Sequence, residues 1–255
     1  MQIKILGCSG GIGGALRTTS FLVDDDILID AGTGASDLSI EGLAAIDHIF
    51  VTHSHLDHIQ CIPLMADTVI GMRDKPIVIH ATIDTWNIIK NHVFNWKVWP
   101  DFTVIPDAVN PVMTYQEIKM GETVELNGRR FTPIPANHVV PAVGYHIEGA
   151  KESMVFTGDT TTCSTLWPVV NSIHNLKYLI IEAAFAEEEK WLAELSKHLC
   201  PSLLIAELCQ LKRAAAIYIT HLKPGVGEII MQQIAQAAPE LDAKPLFNQQ
   251  IFELN

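Results

Sequence analysis

Four residues of the kinds that bind metal ions are clustered in the segment FVTHSHLDHI, residues 50–59. His53, His55, Asp57 and His58 follow directly after an apolar run that has the composition of a strand. His53 and His55 are two positions apart, so an extended backbone would direct both side chains to the same side. The second pair follows where the chain turns towards a helix. Because four ligands are too many for one tetrahedral ion with an open position, the spacing predicts two metal ions that share a solvent ligand.

Three further candidate ligands each end an apolar strand pattern. The segments FTPIPANH, SMVFTGD and AAIYITH end in His138, Asp159 and His221. An aspartate can bridge two cations, and neutral imidazoles can complete each coordination sphere. For any one of the three, the alternative is a polar residue at a strand end that binds nothing. A closed structural zinc site is disfavoured because such sites prefer cysteine, so we predict a catalytic dinuclear site. Its seven ligands would be His53, His55, Asp57, His58, His138, Asp159 and His221.

The elements that must position these residues follow an α/β pattern, in which apolar runs rich in isoleucine and valine alternate with helical periodicity. The predicted strands cover residues 2–6, 19–23, 26–30, 47–52, 77–80, 122–126, 129–134, 143–147, 153–157, 177–181, 215–220 and 246–252. The predicted helices cover residues 34–44, 57–70, 82–92, 163–173, 187–197, 201–211 and 226–237. Residues 93–116 are irregular and rich in proline and aromatic residues. We expect an ordered excursion there within one domain that spans residues 1–255.

Composition and charge disfavour several classes of protein. The 255 residues are 48% hydrophobic and 18% charged, which is typical of a globular chain. A formal net charge of −12 disfavours binding to long nucleic acids, whose phosphates require a basic surface. The five cysteines are scattered and are expected to be reduced. Because neither a secretory signal nor an apolar run of about 20 residues is visible, we expect a cytoplasmic location without membrane association.

Several of these segments resemble the ligand motifs of the metallo-β-lactamase superfamily. They are THSHLDH, the Asn-His pair at 137–138, TGDT and ITH, and they occur in order along most of the chain. The resemblance implies a four-layer αβ/βα sandwich, in which helices flank two mixed sheets and the metal ions lie at one edge. The implied ligands are His53, His55 and His138 for one ion, Asp57, His58 and His221 for the other, and Asp159 as the bridge.

The segment ILIDAGTG resembles the strand that precedes the ligand loop in this superfamily. The resemblance implies that Asp30 orients a ligand histidine without binding metal. The alternative is a carboxylate that serves a turn or a helix N-terminus. The identity of the two divalent ions is open: zinc is favoured, and sites built from histidine and aspartate also accept manganese or iron.

The superfamily includes hydrolases of lactams, thioesters, lactones and phosphodiesters, so the fold alone does not select the reaction. Two adjacent ions suit displacement at phosphorus by a bridging hydroxide, and this gives Asp57 a catalytic role as well as a metal-binding one. Departure of an alkoxide also requires a proton. The segments IIEAAF and LSKHLCP contain Glu182 and His198, and they resemble a Glu-Ala-x-Phe element and a histidine turn that together donate a proton in RNA-processing phosphodiesterases. The alternative is a helix-capping acid and an ordinary histidine at a helix end.

Longer segments are similar to the class II 3′,5′-cyclic-nucleotide phosphodiesterases. They are HSHLDHIQCIPLM, NHVFNWKVWPDF, LSKHLCPSLLIAEL and ITHLKP, and the first departs from that family around Gln60 and Cys61, where a small residue is usual. The resemblance implies hydrolysis of a cyclic nucleotide, with cAMP favoured, to the 5′-nucleotide by metal-bridged hydroxide, while His198 and Glu182 protonate the leaving oxygen. The alternatives are an RNA-processing phosphodiesterase similar to tRNase Z, a broad-specificity phosphodiesterase or, in another chemical class, an acyl or lactone hydrolase.

Three aromatic residues of the irregular segment are candidates for binding the base. Phe94, Trp96 or Trp99 could supply a face on which a purine stacks. The alternatives are packing in a lid or in the core, or a contact between two copies in a homodimer. The expected partner is therefore a small-molecule cyclic nucleotide, and no long nucleic acid or membrane is expected.

Overall fold

The structure is a computed structural model that describes residues 1–255. Fourteen strands form two seven-stranded sheets. In chain order the strands are β1 Gln2–Gly7, β2 Ser20–Val23, β3 Ile27–Ile29, β4 His48–Phe50, β5 Ile77–Ala81, β6 Met113–Glu117, β7 Val124–Leu126, β8 Arg129–Pro135, β9 Val143–Glu148, β10 Ser153–Phe156, β11 Leu176–Glu182, β12 Ala216–Thr220, β13 Lys244–Pro245 and β14 Ile251–Glu253.

Eight α-helices and three short 3-10 helices connect the strands. The α-helices are α1 Ile40–Ala45, α2 Leu56–Ile59, α3 Cys61–Thr68, α4 Ile83–His92, α5 Leu166–Ser172, α6 Lys190–Ser196, α7 Pro201–Leu208 and α8 Gly227–Ala237. The 3-10 helices are Thr33–Asp37, Glu187–Glu189 and Pro239–Leu241. None of the helices combines the length and the apolar composition that crossing a membrane requires.

The topology brings the carboxyl ends of several strands to one edge of the molecule. The first sheet has the order β14-β1-β2-β3-β4-β5-β6, and β3 to β6 are parallel. The second has the order β13-β12-β11-β10-β9-β8-β7, and β10, β11 and β12 are parallel. Because β8 and β10 are both antiparallel to β9, they run in the same direction. The loops after β3, β4, β8, β10, β11 and β12 therefore emerge at the edge where the site lies.

Three apolar clusters separate four layers of structure. The cluster between the sheets includes Phe50 and Phe131, whose rings stack with centroids 4.4 Å apart. Ile49, the neighbour of Phe50 in β4, points to the opposite face and belongs to the cluster under α3 and α4. A third cluster, which includes Leu179 of β11, packs the second sheet against α5, α7 and α8. The predicted four-layer αβ/βα sandwich is confirmed.

Two of the predicted helices are each divided in two. The helix predicted over 57–70 breaks into α2 and α3, because Pro63 has no N–H to donate to Ile59. The helix predicted over 34–44 is a 3-10 turn followed by α1, because Ser39 accepts a hydrogen bond from Gly42 N–H and begins a new helix.

The single strand predicted over 246–252 is wrong. Two short strands, β13 and β14, flank a turn in this region, and Gln249 in that turn has a φ of 68°. A left-handed residue cannot continue a strand. The segment 93–116 also differs, since β6 begins at Met113, while residues 93–112 contain neither helix nor strand.

Specific contacts fasten the irregular segment to α3 and α4. The ammonium group of Lys90 pairs with Asp101 and donates to Thr103 Oγ1 at 2.6 Å. The indole N–H of Trp99 donates to the carbonyl of Pro63 at 3.0 Å. The path of the segment is therefore set by side-chain contacts rather than by regular backbone hydrogen bonds.

A histidine pair lies within the first sheet, and in it His80 is buried and His48 is half-buried. His80 Nε2 is 3.0 Å from His48 Nδ1, and the His80 ring stacks on Phe50 with centroids 4.3 Å apart. Burial lowers the pKa of His80 to about 3, whereas the same residue in the unfolded chain titrates near ~6.5. The unfolded chain therefore binds more protons below that pH, and the stability contributed by neutral His80 is lost as the pH falls.

We expect the variant His80→Phe to show a weaker pH dependence of stability than the parent protein. Between pH 6 and pH 4 the slope of the unfolding free energy should be smaller by up to about 1.4 kcal/mol per pH unit, because one titrating group has been removed. Urea unfolding of both proteins at a series of pH values measures the two slopes. Identical slopes would contradict the assignment to His80.

Candidate metal centre and active site

The seven predicted ligands lie together in the loops at the shared edge of the sandwich. Four follow β4, and one each follows β8, β10 and β12. Their potential ligand atoms form two groups, and within each group all of these atoms lie within 4.8 Å of one another. The first group is His53, His55, His138 and Asp159, and the second is Asp57, His58, Asp159 and His221. Asp159 belongs to both groups, which is the position that a bridging ligand requires.

The carboxylate of Asp159 is the centre of this arrangement. Its Oδ2 lies 3.3 Å from His58 Nε2 and 3.7 Å from His53 Nε2, and its Oδ1 lies 3.2 Å from His221 Nδ1. Asp57 Oδ2 approaches the second group from the solvent side, at 3.8 Å from the Nε2 atoms of both His58 and His221. The buried carboxylate of Asp159 and the half-exposed carboxylate of Asp57 thus both face the imidazoles of His58 and His221.

Asp30 and Thr52 orient two of the histidines. Asp30 Oδ2 is 2.7 Å from His58 Nδ1 and accepts the Thr52 hydroxyl at 2.7 Å, while Asp30 Oδ1 accepts the Thr52 N–H at 2.8 Å. Because the Thr52 hydroxyl donates to Asp30, its oxygen accepts from His53 Nδ1 at 3.0 Å. Both rings therefore direct Nε2 towards Asp159. Asp30 has the geometry expected of a residue that orients ligand histidines.

His138 is oriented by a backbone carbonyl. Its Nδ1–H donates to the carbonyl oxygen of Lys197 at 3.0 Å, since that oxygen can only accept. His138 Nε2 therefore carries the lone pair and lies 3.1 Å from His55 Nδ1. Two nitrogen atoms of the first group are in this way directed at one small volume.

Buried nitrogen atoms without partners indicate that the site fits metal ions. His53 Nε2, His58 Nε2 and His221 Nδ1 are buried, and none makes a hydrogen bond. An unsatisfied buried polar atom costs about 1–3 kcal/mol, so three around one carboxylate require an explanation. Imidazole and carboxylate are the ligands that divalent transition metals accept. The site residues fit two divalent ions, one in each group.

The electrostatic environment keeps most of these imidazoles neutral, as metal ligands must be. Burial lowers the pKa of His53 well below its usual value, that of His138 to about 4 and that of His221 to about 3. Burial also acts to lower the pKa of His58, but the carboxylates facing it, Asp159 foremost, outweigh burial and raise it well above its usual value. Binding of a cation at His58 Nε2 is therefore coupled to the release of a proton.

Glu182 and His198 form a buried pair beside both metal groups. Glu182 Oε1 lies 2.6 Å from His198 Nδ1. The Glu182 carboxylate also accepts the backbone N–H groups of Thr160, Ala184 and Leu199 at 3.0, 3.2 and 3.1 Å. Glu182 ends strand β11 and caps no helix, so the helix-capping alternative is wrong.

The His198 ring lies between the two metal groups. Its centroid is 4.9 Å from that of His138 and 5.2 Å from that of His221. Burial acts to lower the pKa of His198, but Glu182 outweighs burial and raises it, while burial raises the pKa of Glu182. His198 therefore retains its proton to a higher pH than a free histidine does.

The three aromatic residues of the irregular segment differ in exposure. Phe94 is 2% exposed and belongs to the core cluster under α3 and α4, which corrects the expectation that it contacts substrate. Trp99 is half-buried, and its N–H is bound to Pro63. Trp96 is 64% exposed and has a φ of 64°. Of the three, Trp96 presents a free ring face.

Besides Lys197, sequence reasoning missed two residues that contact the ligands closely. Thr52 immediately precedes the histidine cluster, and a hydroxyl next to a ligand was the available signal. Gly10 packs against His221: a Cβ added at Gly10 would lie 2.4 Å from His221 O and 2.8 Å from His221 Cδ2. The glycine-rich run CSGGIGG after β1 was the signal for this close approach.

We expect Gly10→Ala to weaken metal binding at the second group about tenfold, because the added methyl group would displace His221. Gly42→Ala is the matched control, since a Cβ there meets only ordinary contacts at 3.5–3.8 Å inside α1. Titration with a competing chelator would measure both affinities. Unchanged metal binding in Gly10→Ala would show that His221 tolerates the displacement.

Comparison with known proteins identifies the family to which this chain belongs. Residues 25–243 match the model of a β-lactamase superfamily domain. A probable 3′,5′-cyclic-nucleotide phosphodiesterase of Yersinia pestis is 26% identical, with 92% of this chain and 83% of that protein covered. A ribonuclease Z of Haloarcula marismortui is 24% identical, with 96% of this chain and 93% of that protein covered.

Solved structures share the fold over the whole chain. Unliganded yeast PDE1 superposes with a TM-score of 0.83 at 19% identity, and 99% of both chains is covered. The short form of human tRNase Z superposes with a TM-score of 0.69 at 15% identity, and all of both chains is covered. With the matched domain and the histidine–aspartate cluster, these findings identify the chain as a metal-dependent hydrolase that belongs to the metallo-β-lactamase superfamily and resembles its cyclic-nucleotide phosphodiesterases.

Proposed function

We propose that this hydrolase is a phosphodiesterase that converts 3′,5′-cyclic nucleotides, cAMP foremost, to 5′-nucleotides. The observation that carries the proposal is the buried Glu182–His198 pair, whose imidazole lies beside ligands of both metal groups. An alkoxide leaving group needs a proton, and a histidine with a raised pKa can donate one. An acyl or lactone hydrolase would not require this pair.

The seven ligand residues would hold two divalent ions, which we propose to be zinc. When bound, such ions act as Lewis acids that activate water and neutralise charge on the phosphoryl group. Asp30 and Thr52 hold two of the ligand rings, and Asp57 faces the same volume from the more exposed side. The protein thereby keeps the rings fixed before substrate binds.

The proton-transfer step follows from the orientation of His198. Its Nδ1 is bound to Glu182, so Nε2 is the nitrogen that can face a substrate. Water adds to phosphorus as the P–O3′ bond breaks, and the proton from His198 Nε2 goes to O3′. The pair then regains a proton from the water consumed, so the reaction is a net hydrolysis to the 5′-nucleotide.

The comparisons and the charge support a small cyclic substrate. The Yersinia pestis relative is named for hydrolysis of 3′,5′-cyclic nucleotides and matches over most of its length. The formal net charge of −12 opposes binding of a long polyanion. We propose that the exposed ring of Trp96 contributes to base binding.

A second candidate function is the processing of RNA 3′ ends. The similarity to ribonuclease Z of Haloarcula marismortui, which spans 93% of that protein, favours it. The same metal groups and the same proton donor would serve that reaction, so the two candidates differ in substrate rather than in chemistry.

A substrate panel assayed with the zinc-loaded protein would test the proposal. The panel consists of cAMP, cGMP, a chromogenic aryl phosphodiester, a tRNA precursor and a lactone. We expect the highest kcat/KM with a cyclic nucleotide and 5′-AMP as the product from cAMP. Release of 3′-AMP would overturn the choice of bond, preference for the tRNA precursor would support the second candidate, and preference for the lactone would reject both.

A further inference from the structure

We propose that Lys197 is a positioning residue that aligns the ligand ring of His138 with the proton donor His198. The part that concerns proton transfer rests on the proposed function, whereas the part that concerns His138 depends only on metal binding. Lys197 is neither a predicted ligand nor a predicted proton donor, and it immediately precedes His198 in the chain.

Lys197 holds His138 through both its backbone and its side chain. Its carbonyl oxygen accepts Nδ1–H of His138 at 3.0 Å, which fixes the ring tautomer and its rotation. Its ammonium group donates to the carbonyl of His138 at 3.1 Å and to Asn137 Oδ1 at 3.3 Å. The ring and the loop that bears it are therefore fastened to one residue.

The backbone conformation of Lys197 is unusual for a lysine. Lys197 ends helix α6 with φ 55° and ψ 51°, and its N–H contacts the carbonyls of Ala193 and Glu194. The N–H of His198 donates to Ala193 O at 2.8 Å, so the two residues form a helix-terminating turn of the kind that normally has glycine at the left-handed position. Lysine is less favourable than glycine there, and its ammonium group makes the contacts that glycine would lack.

Left-handed backbone recurs at this site. Asp30 has a φ of 56° and His221 a φ of 60°, and both residues contact the metal groups. Strained residues concentrate at functional sites, where the surrounding structure enforces them. Lys197 is the third such residue, and like Asp30 it contacts a ligand histidine and is not itself one of the seven ligands.

The turn at Lys197 thereby positions two histidines of the site. The carbonyl of Lys197 fixes His138, and the next residue, His198, extends to Glu182 with its ring centroid 4.9 Å from that of His138. A shift of the turn would move the proton donor and loosen a metal ligand together. Lys197 consequently acts on catalysis without contacting the reacting atoms.

The test compares Lys197→Met with Lys190→Met. Methionine removes the ammonium group of Lys197 and leaves its carbonyl. Lys190 is the control because it lies on the same helix and donates to Ser202 Oγ at 3.1 Å, away from the ligands. In Lys197→Met we expect zinc affinity at one of the two sites to fall about tenfold, as for other partners of ligand histidines. Lys190→Met should retain both affinities.

Two further measurements separate positioning from folding. Lys197→Gly adopts the left-handed conformation readily, so it should fold at least as well and show the same loss of affinity. In both Lys197 variants, hydrolysis of an alkyl phosphodiester should fall about tenfold more than that of an activated aryl phosphodiester.

Two zinc ions bound with parental affinity and an unchanged ratio of the two ester rates, in both variants, would overturn the inference. If the parental protein cleaves no phosphodiester, the proposed function fails instead. The zinc titration then still decides whether Lys197 positions His138.

Discussion

Replacement of Asp159 with alanine is expected to abolish hydrolysis and to reduce the bound metal in the same protein. Asp159 is 3% exposed, and its two oxygen atoms face imidazoles of both groups, so no other carboxylate can take its place. We expect kcat/KM to fall by at least about 10³-fold, which is the upper end of the loss seen when one group that stabilises the transition state electrostatically is removed. Metal analysis of the purified variant should show fewer ions per chain than the parent.

The exposed Asp67 on α3 provides the control for this variant. Asp67→Ala removes the same charge from the chain without touching the site, and it should leave both activity and metal content unchanged. If Asp159→Ala retained full activity with normal metal content, Asp159 would not bridge the two ions, and the two-group arrangement would need another explanation.

Replacement of His198 with alanine should distinguish substrates by their leaving group. We expect hydrolysis of an alkyl phosphodiester such as cAMP to fall by about 10²–10⁴-fold, the usual contribution of a general acid. An activated aryl phosphodiester should lose less than about tenfold, because its leaving group departs without a proton. Rates with the two esters, measured at the same zinc occupancy, give the comparison.

His174, an exposed histidine outside the site, is the matched control, and His174→Ala should leave both rates unchanged. Equal losses on the two esters in His198→Ala would remove the assignment of His198 as proton donor. Such a result would leave the metal groups intact and would return His198 to a packing role between the rings of His138 and His221.

Much of the fold could be predicted because local pattern and tertiary packing agree. In β4, Ile49 and Phe50 face different layers, and both faces of the strand are buried. Both residues are therefore apolar, and the resulting apolar run predicted the strand. The predictions of secondary structure failed where a long-range contact or a left-handed backbone conformation determines the element. Strand β6 pairs with β5 in a segment that lacks a clear local signal, and the turn at Gln249 divides a run that resembles one strand.

In the candidate site, too, local spacing predicted some features and tertiary packing determined others. The spacing of His53, His55, Asp57 and His58 indicated a metal cluster because neighbouring residues on an extended segment share a face. The exposure of aromatic residues could not be predicted in this way. Phe94 and Trp96 are two positions apart, yet one is buried and the other exposed. Packing against α3 and α4 decides between them.

The sequence by itself determined the donor types, their order and the alternating elements that place them at strand ends, because these depend on side-chain chemistry and short-range periodicity. Only the tertiary structure decided which nitrogen of each ring faces the centre, since that depends on partners far away in the chain. His58 takes its orientation from Asp30, and His138 takes its orientation from Lys197. Asp30 and His58 follow paired strands of the first sheet, and His138 and Lys197 lie in loops that follow strands of the second sheet. Each pair therefore meets only when its own sheet is assembled, and local periodicity contains no information about such contacts.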